Sequence, residues 1–172
     1  HLSLLLSVPA SLGLIIASEE IVSGLFGYGS FNLTDVEMTS NALMFFGYGI
    51  IAFSLIKILA NFFFARDNTI TPFYISSFIV FLNITISVSF FNKLGFLIIP
   101  IATSISTWIG VLIFLYLLLR SNYLVLQRKL FKDSFKILIS SSIMAFILIY
   151  VLNKYSSYLD YSYTFKSVYL LI

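Results

Sequence analysis

A single lysine stands in a long apolar stretch: no charged residue occurs from Met38 to Ile56, and the next charge after Lys57 is Arg66. An ionisable group inside hydrocarbon is costly and faces a cavity or a partner. Alternatively its long stem carries the ammonium to the membrane surface, and both readings are open for Lys57, about two helical turns before Arg66. Arg66 and Asp67 follow the aromatic run Phe62-Phe63-Phe64 and precede Asn68-Thr69-Ile70-Thr71-Pro72. The spacing predicts a helix ending at the aromatic run and a short charged turn. The next helix is predicted to have Thr71 as N-cap and Pro72 as its first residue. Such a hairpin is a complete structural unit, and it could also serve as a gate that changes partners.

A weaker polar set lies further on. Asn83 and Ser87 share a helix face at i, i+4, and Thr103, Ser104 and Thr107 cluster in the following run. Hydrogen bonds between helices account for such residues in most membrane proteins. Their oxygens also suit a hard cation such as sodium, though weakly without a carboxylate. Glu19 and Glu20 are expected to end the first helix as a solvated pair near the outer surface. In the segment 127–136, Arg128, Lys132 and Lys136 fall on one stripe beside Phe131 and Phe135, the pattern of an amphipathic lead-in touching lipid headgroups. No catalytic constellation is present: the lone histidine is His1, cysteine is absent, and there is no phosphate loop or paired intramembrane carboxylate. A transporter or a membrane scaffold is therefore expected rather than an enzyme, with no cofactor and no metal site assigned.

These residues must be positioned by membrane helices. Of 172 residues, 60% are hydrophobic and 10% charged, against about 25% charged in soluble domains. The uncharged runs 68–92 and 94–119 each exceed the roughly 20 residues that cross a hydrocarbon core. The runs lack the alternation of a transmembrane barrel, so an all-α polytopic antiparallel bundle is expected. Spans are predicted at 2–17, 36–64, 72–91, 97–119 and 136–152, with another opening at Lys166. The net charge of +3 does not indicate nucleic acid, because five of the ten basic residues lie within 120–136, a membrane-flanking position. One side carries Arg66, Arg120, Arg128, Lys129, Lys132 and Lys136 and the other Lys93, Lys154 and Lys166. The first side is therefore cytoplasmic and the first helix runs outward. It exits into a loop, 24–32, where Gly24, Gly27 and Gly29 are expected to permit positive-φ turns and Phe26, Tyr28 and Phe31 to sit at the interface. The chain begins at His1 without a basic n-region and stops inside an apolar run, so it is expected to be a single transmembrane region cut at both ends.

Four blocks carry a family resemblance. Leu5-Leu6-Ser7-Val8-Pro9-Ala10-Ser11-Leu12-Gly13-Leu14, Leu25-Phe26-Gly27-Tyr28-Gly29-Ser30-Phe31, Met38-Thr39, and the run from Lys57-Ile58-Leu59-Ala60-Asn61 through Arg66-Asp67 to Thr71-Pro72 together resemble the C-terminal half of the MurJ/MviN lipid II flippase family. Beyond Pro72 the likeness is mainly hydropathy and loop length. The resemblance implies helices nine to thirteen and the opening of fourteen in a fourteen-helix exporter fold. It implies a bacterial cytoplasmic membrane location and alternating-access transport of lipid II, the undecaprenyl-diphosphate-linked muropeptide, to the outer leaflet. Lys57, Arg66 and Asp67 become transport or gating candidates, and Arg128, Lys132 and Lys136 contacts to membrane lipids. Cell-wall synthesis machinery is the protein partner implied. Some members hold sodium between the helices matching 72–91 and 97–119. Asn83 and Thr103 match ligand positions, but Ser87 stands where an aspartate is expected, which counts against sodium and leaves the membrane potential as the other source of coupling. Other readings are a polysaccharide-precursor flippase or a drug/cation antiporter of the same superfamily, and a non-transporting scaffold.

Overall fold

The structure, a computed structural model, describes residues 2–27, 30–121 and 128–155. Tyr28, Gly29, Gln127 and everything after Tyr155, including Lys166, lie outside the described residues, as do the side chains of Arg128, Lys129, Phe131 and Lys132. The described chain is all helical: α1 (Leu2–Ile16), α2 (Ser18–Phe26), α3 (Leu33–Phe64), α4 (Ile70–Leu94), a 3₁₀ turn (Gly95–Leu97), α5 (Ile98–Arg120) and α6 (Arg128–Tyr155).

α3, α4, α5 and α6 contain 32, 25, 23 and 28 residues, each enough to cross hydrocarbon. α4 and α5 could be taken for one continuous helix, but Asn83 Nδ2 lies 2.9 Å from Thr103 Oγ1. Twenty residues of straight helix would separate them by about 30 Å. The chain therefore folds back at Gly95, whose φ of +60° suits a residue without a Cβ. Ser104 bonds to Phe45 O and Trp108 to Tyr48 O, so α5 runs parallel to α3. Arg66 and Arg120 consequently share one end of the bundle and Lys93 lies at the other, as the charge count predicts.

Three expectations are corrected at the helix ends. Glu19 and Glu20 do not terminate the first helix, and the loop does not begin at Gly24. The chain bends by 72° after α1 and forms α2, with both glutamates in its first turn. Carboxylates are favoured at the positive N-terminal end of a helix and disfavoured at its C-terminal end, which explains why a new helix starts there. Gly24 is buried within α2 and Gly27 has φ −72°, so neither makes a positive-φ turn. Gly27 is required instead by proximity, because a Cβ there would sit 2.3 Å from Ser23 O. α3 starts before the predicted Val36 because Asn32 and Asp35 form a reciprocal capping box, each side chain accepting the other's backbone N–H at 3.0 Å.

The third correction concerns Thr71 and Pro72. α4 begins at Ile70, the Thr71 N–H donates to Asn68 Oδ1 at 3.1 Å, and Pro72 is the third helical residue. The first four N–H groups of a helix have no partner within it, so proline is tolerated there. α6 is likewise continuous from Arg128, making the basic lead-in the first turns of a spanning helix rather than a separate element.

The core lies between α3, α4 and α5 and contains Ala52, Leu59, Phe63, Ile75, Val111, Phe114 and Leu118. α3 is the hub. Its backbone carbonyls at Phe45, Gly47 and Tyr48 accept bonds from Ser104, Ser11 and Trp108 at 2.7, 2.8 and 3.0 Å. Glycine makes this approach possible, since a Cβ at Gly49 would come within 2.8 Å of Ser104 Oγ.

Candidate functional site

The charged hairpin is rigid and closed on its own backbone. Asn68 N–H donates to Phe63 O and Asp67 N–H to Phe64 O, both at 3.1 Å, the paired bonds that finish a helix when the residue after its last turn is left-handed. That residue is Asp67, with φ 55°. The Arg66 guanidinium folds back to donate to Phe62 O at 2.7 Å, placing a cation on the negative end of α3. Arg66 thus helps to cap α3, and Asp67 stands exposed at the tip of the turn. Beneath them Phe63 packs on Phe114, ring centroids 5.9 Å apart, and ties the hairpin to α5. Asn68 was not singled out from sequence, yet it closes α3 with its N–H and starts α4 with its side chain. The signal available was a short polar side chain three residues before an unpartnered N–H.

Lys57 is separate from this hairpin. It lies two turns back, exposed, in a groove between α1 and α3 that also contains Ser3, Ser7, Ser54 and Asn61. Lys136 lies elsewhere again, lining a groove between α1 and α6 with Pro9, Ser140 and Ser141. The predicted grouping of Lys57 with Arg66 and Asp67 is therefore one of helix end, not of contact.

The structure does bring Asn83, Ser87 and Thr103 together across α4 and α5. Asn83 Nδ2 donates to Thr103 Oγ1 at 2.9 Å, Thr103 Oγ1 to Ile99 O at 2.7 Å, and Ser87 Oγ to Asn83 Oδ1 at 3.3 Å. No aspartate or glutamate occurs anywhere in α4 or α5. Hard cations take about six or more oxygens and are held chiefly by carboxylates. Here the oxygens are neutral and already engaged with one another, so sodium binding by α4 and α5 alone would break three hydrogen bonds without gaining an anionic ligand from either helix. In the complete gene product, Ser87→Asp is expected to create a sodium-dependent shift in melting temperature of a few degrees, on the scale of about 2–4 °C per kcal/mol of ion binding. The parent should melt at the same temperature in sodium and potassium. A sodium-dependent parent would reject the neutral-contact reading.

The family model described as "Lipid II flippase MurJ" matches residues 1–169. The chain belongs to the MurJ lipid II flippase family. It is 31% identical over 169 residues to a probable lipid II flippase MurJ of Rickettsia prowazekii, covering 95% of this chain and 32% of that protein. It is 30% identical over 148 residues to the lipid II flippase MurJ of Thermosipho africanus, covering 85% and 29% respectively. A solved lipid II flippase MurJ in an inward closed conformation superposes with a TM-score of 0.76 at 27% identity, covering 98% of this chain and 33% of that one. The chain thus spans about a third of the length of the MurJ relatives it matches. Its described helices form a multi-pass part of a bacterial inner-membrane transporter family, as its resemblance implies.

Proposed function

We propose that the protein containing this chain moves lipid II from the inner to the outer leaflet of the cytoplasmic membrane, and that this chain forms part of one lobe. The observation that carries the reading is the family match along nearly the whole chain, together with the likeness in helix arrangement to a MurJ structure. The physics of the task supports it. A diphosphate headgroup cannot cross hydrocarbon unaided, so a protein must offer a polar path while the isoprenoid tail stays in lipid. Membrane-length helices, a hairpin closed on its own backbone at the cytoplasmic end and a lysine without a bond among the described residues near that end are suitable parts. The hairpin around Asp67 helps to close the cytoplasmic side. The lack of a carboxylate on α4 and α5 favours coupling to the membrane potential, each charge moved being worth about 2.3 kcal/mol per 100 mV.

Depletion of the complete gene product in its host is expected to lower the lipid II accessible at the outer leaflet several-fold, with accumulation inside and then lysis. Unchanged exposure in a host without a second flippase would reject the function and move polysaccharide-precursor exporters ahead.

A further inference from the structure

Lys57 poses a problem of charge that the packing leaves open. The first turns of α3 carry Thr34, Asp35, Glu37, Thr39, Ser40 and Asn41, so the hydrocarbon begins near Ala42. A crossing of about 20 residues then ends near Asn61, which puts the Lys57 backbone roughly 6 Å inside the cytoplasmic boundary. At that depth its stem brings the ammonium to the level of lipid phosphates. No hydrogen bond or ion pair involves Lys57 among the described residues.

The groove around it is mixed, with Leu6, Ala10, Ile50 and Ile58 sharing its lining with five polar side chains. Ser54, Lys57 and Asn61 form one stripe of α3, and Ser3 and Ser7 face them from α1 across an open groove of about 510 Å³. Ser11 bonds to Gly47 O while the earlier Ser3 and Ser7 face the later Ser54, Lys57 and Asn61, so the two helices run antiparallel and Ser3 and Asn61 lie at the cytoplasmic mouth. Ser7 is 4% exposed, yet its Oγ has no partner. A buried hydroxyl without a partner and a cation without a counter-charge both require an acceptor. The cytoplasmic halves of α1 and α3 contain no aspartate or glutamate to supply one.

We infer that this groove binds the phosphate of a lipid headgroup drawn from the inner leaflet, with Lys57 as the charge and Ser54 and Asn61 as hydrogen-bond donors. A phosphate offers several acceptor oxygens to a point charge and converging short donors. Lipid-linked diphosphates and ordinary anionic phospholipids share this chemistry. Only the choice of the former rests on the flippase reading.

The test uses the complete gene product in phosphatidylcholine nanodiscs, titrated with undecaprenyl diphosphate or phosphatidylglycerol and read by native mass spectrometry. Lys57→Gln is expected to raise the apparent dissociation constant for undecaprenyl diphosphate at least about tenfold. Lys57→Arg should stay within about threefold of the parent, because it keeps the charge. Ser54→Leu fills the groove with Lys57 intact and should weaken binding as Lys57→Gln does. Preference for the diphosphate supports both the site and the flippase reading. Equal binding of the two lipids supports the site and removes this support from the flippase reading. Parent-like binding by Lys57→Gln, or by Ser54→Leu, overturns the inference. So does a lipid-free melting temperature that falls in Lys57→Gln and returns in Lys57→Arg, which would assign Lys57 to a carboxylate of the protein itself.

Discussion

Replacing Phe114 by alanine is expected to destabilise the protein by about 3–5 kcal/mol. Phe114 is 0% exposed and lies in the cluster that joins α3, α4 and α5. Its ring packs against Phe63 with centroids 5.9 Å apart. The cavity left by truncation would be enclosed by Leu59, Ile75 and Leu118, which neither water nor a lipid chain can fill without separating the helices. The control is Tyr116→Ala on the same helix. Tyr116 is 61% exposed, and its loss should change stability by less than about 0.5 kcal/mol. Denaturation midpoints of the complete protein in one detergent would decide. Equal effects at the two positions would mean that the three-helix core does not hold this lobe together.

At Asp67, loss of charge is expected to cut transport about tenfold or more, the scale of one lost charge-assisted contact, while protein level stays normal. The residue has two separable properties. Its φ of 55° costs an ordinary L-residue about 1–2 kcal/mol and glycine nothing, whereas its carboxylate stands exposed at the turn. Asp67→Gly removes the charge and relieves the backbone, Asp67→Asn removes the charge from a residue that tolerates this conformation, and Asp67→Lys reverses it. If the carboxylate helps to close the cytoplasmic side, all three reduce lipid II exposure in cells that depend on the variant. Normal transport in the glycine and asparagine variants would show that Asp67 serves only to end α3.

Helix ends were legible from sequence where a local rule was complete. The Arg66–Asp67 turn lay where the aromatic run and the following proline placed it. The Asn32–Asp35 capping box and the Glu19–Glu20 pair at the start of α2 are equally local signals, in which the polarity of a helix end outweighs the apolar run around it. Asn83, Ser87 and Thr103 were legible as a set of polar positions on two adjacent spans. Their order as donors and acceptors was not, since it depends on how α4 and α5 meet.

What the residues alone determined is the class of solvent and which helix ends share a side. Hydropathy and charge are properties of each segment relative to a bilayer, and they need no partner to act. Tertiary structure decided which groups are satisfied. Ser11, Ser104 and Trp108 donate to α3 carbonyls between 36 and 60 residues away, Arg66 is drawn onto its own helix end, and Lys57 and the Ser7 hydroxyl find no acceptor among the described residues. In hydrocarbon every polar group needs a partner, and which partner it finds depends on which helix faces come together, a relation between distant positions that no local pattern encodes.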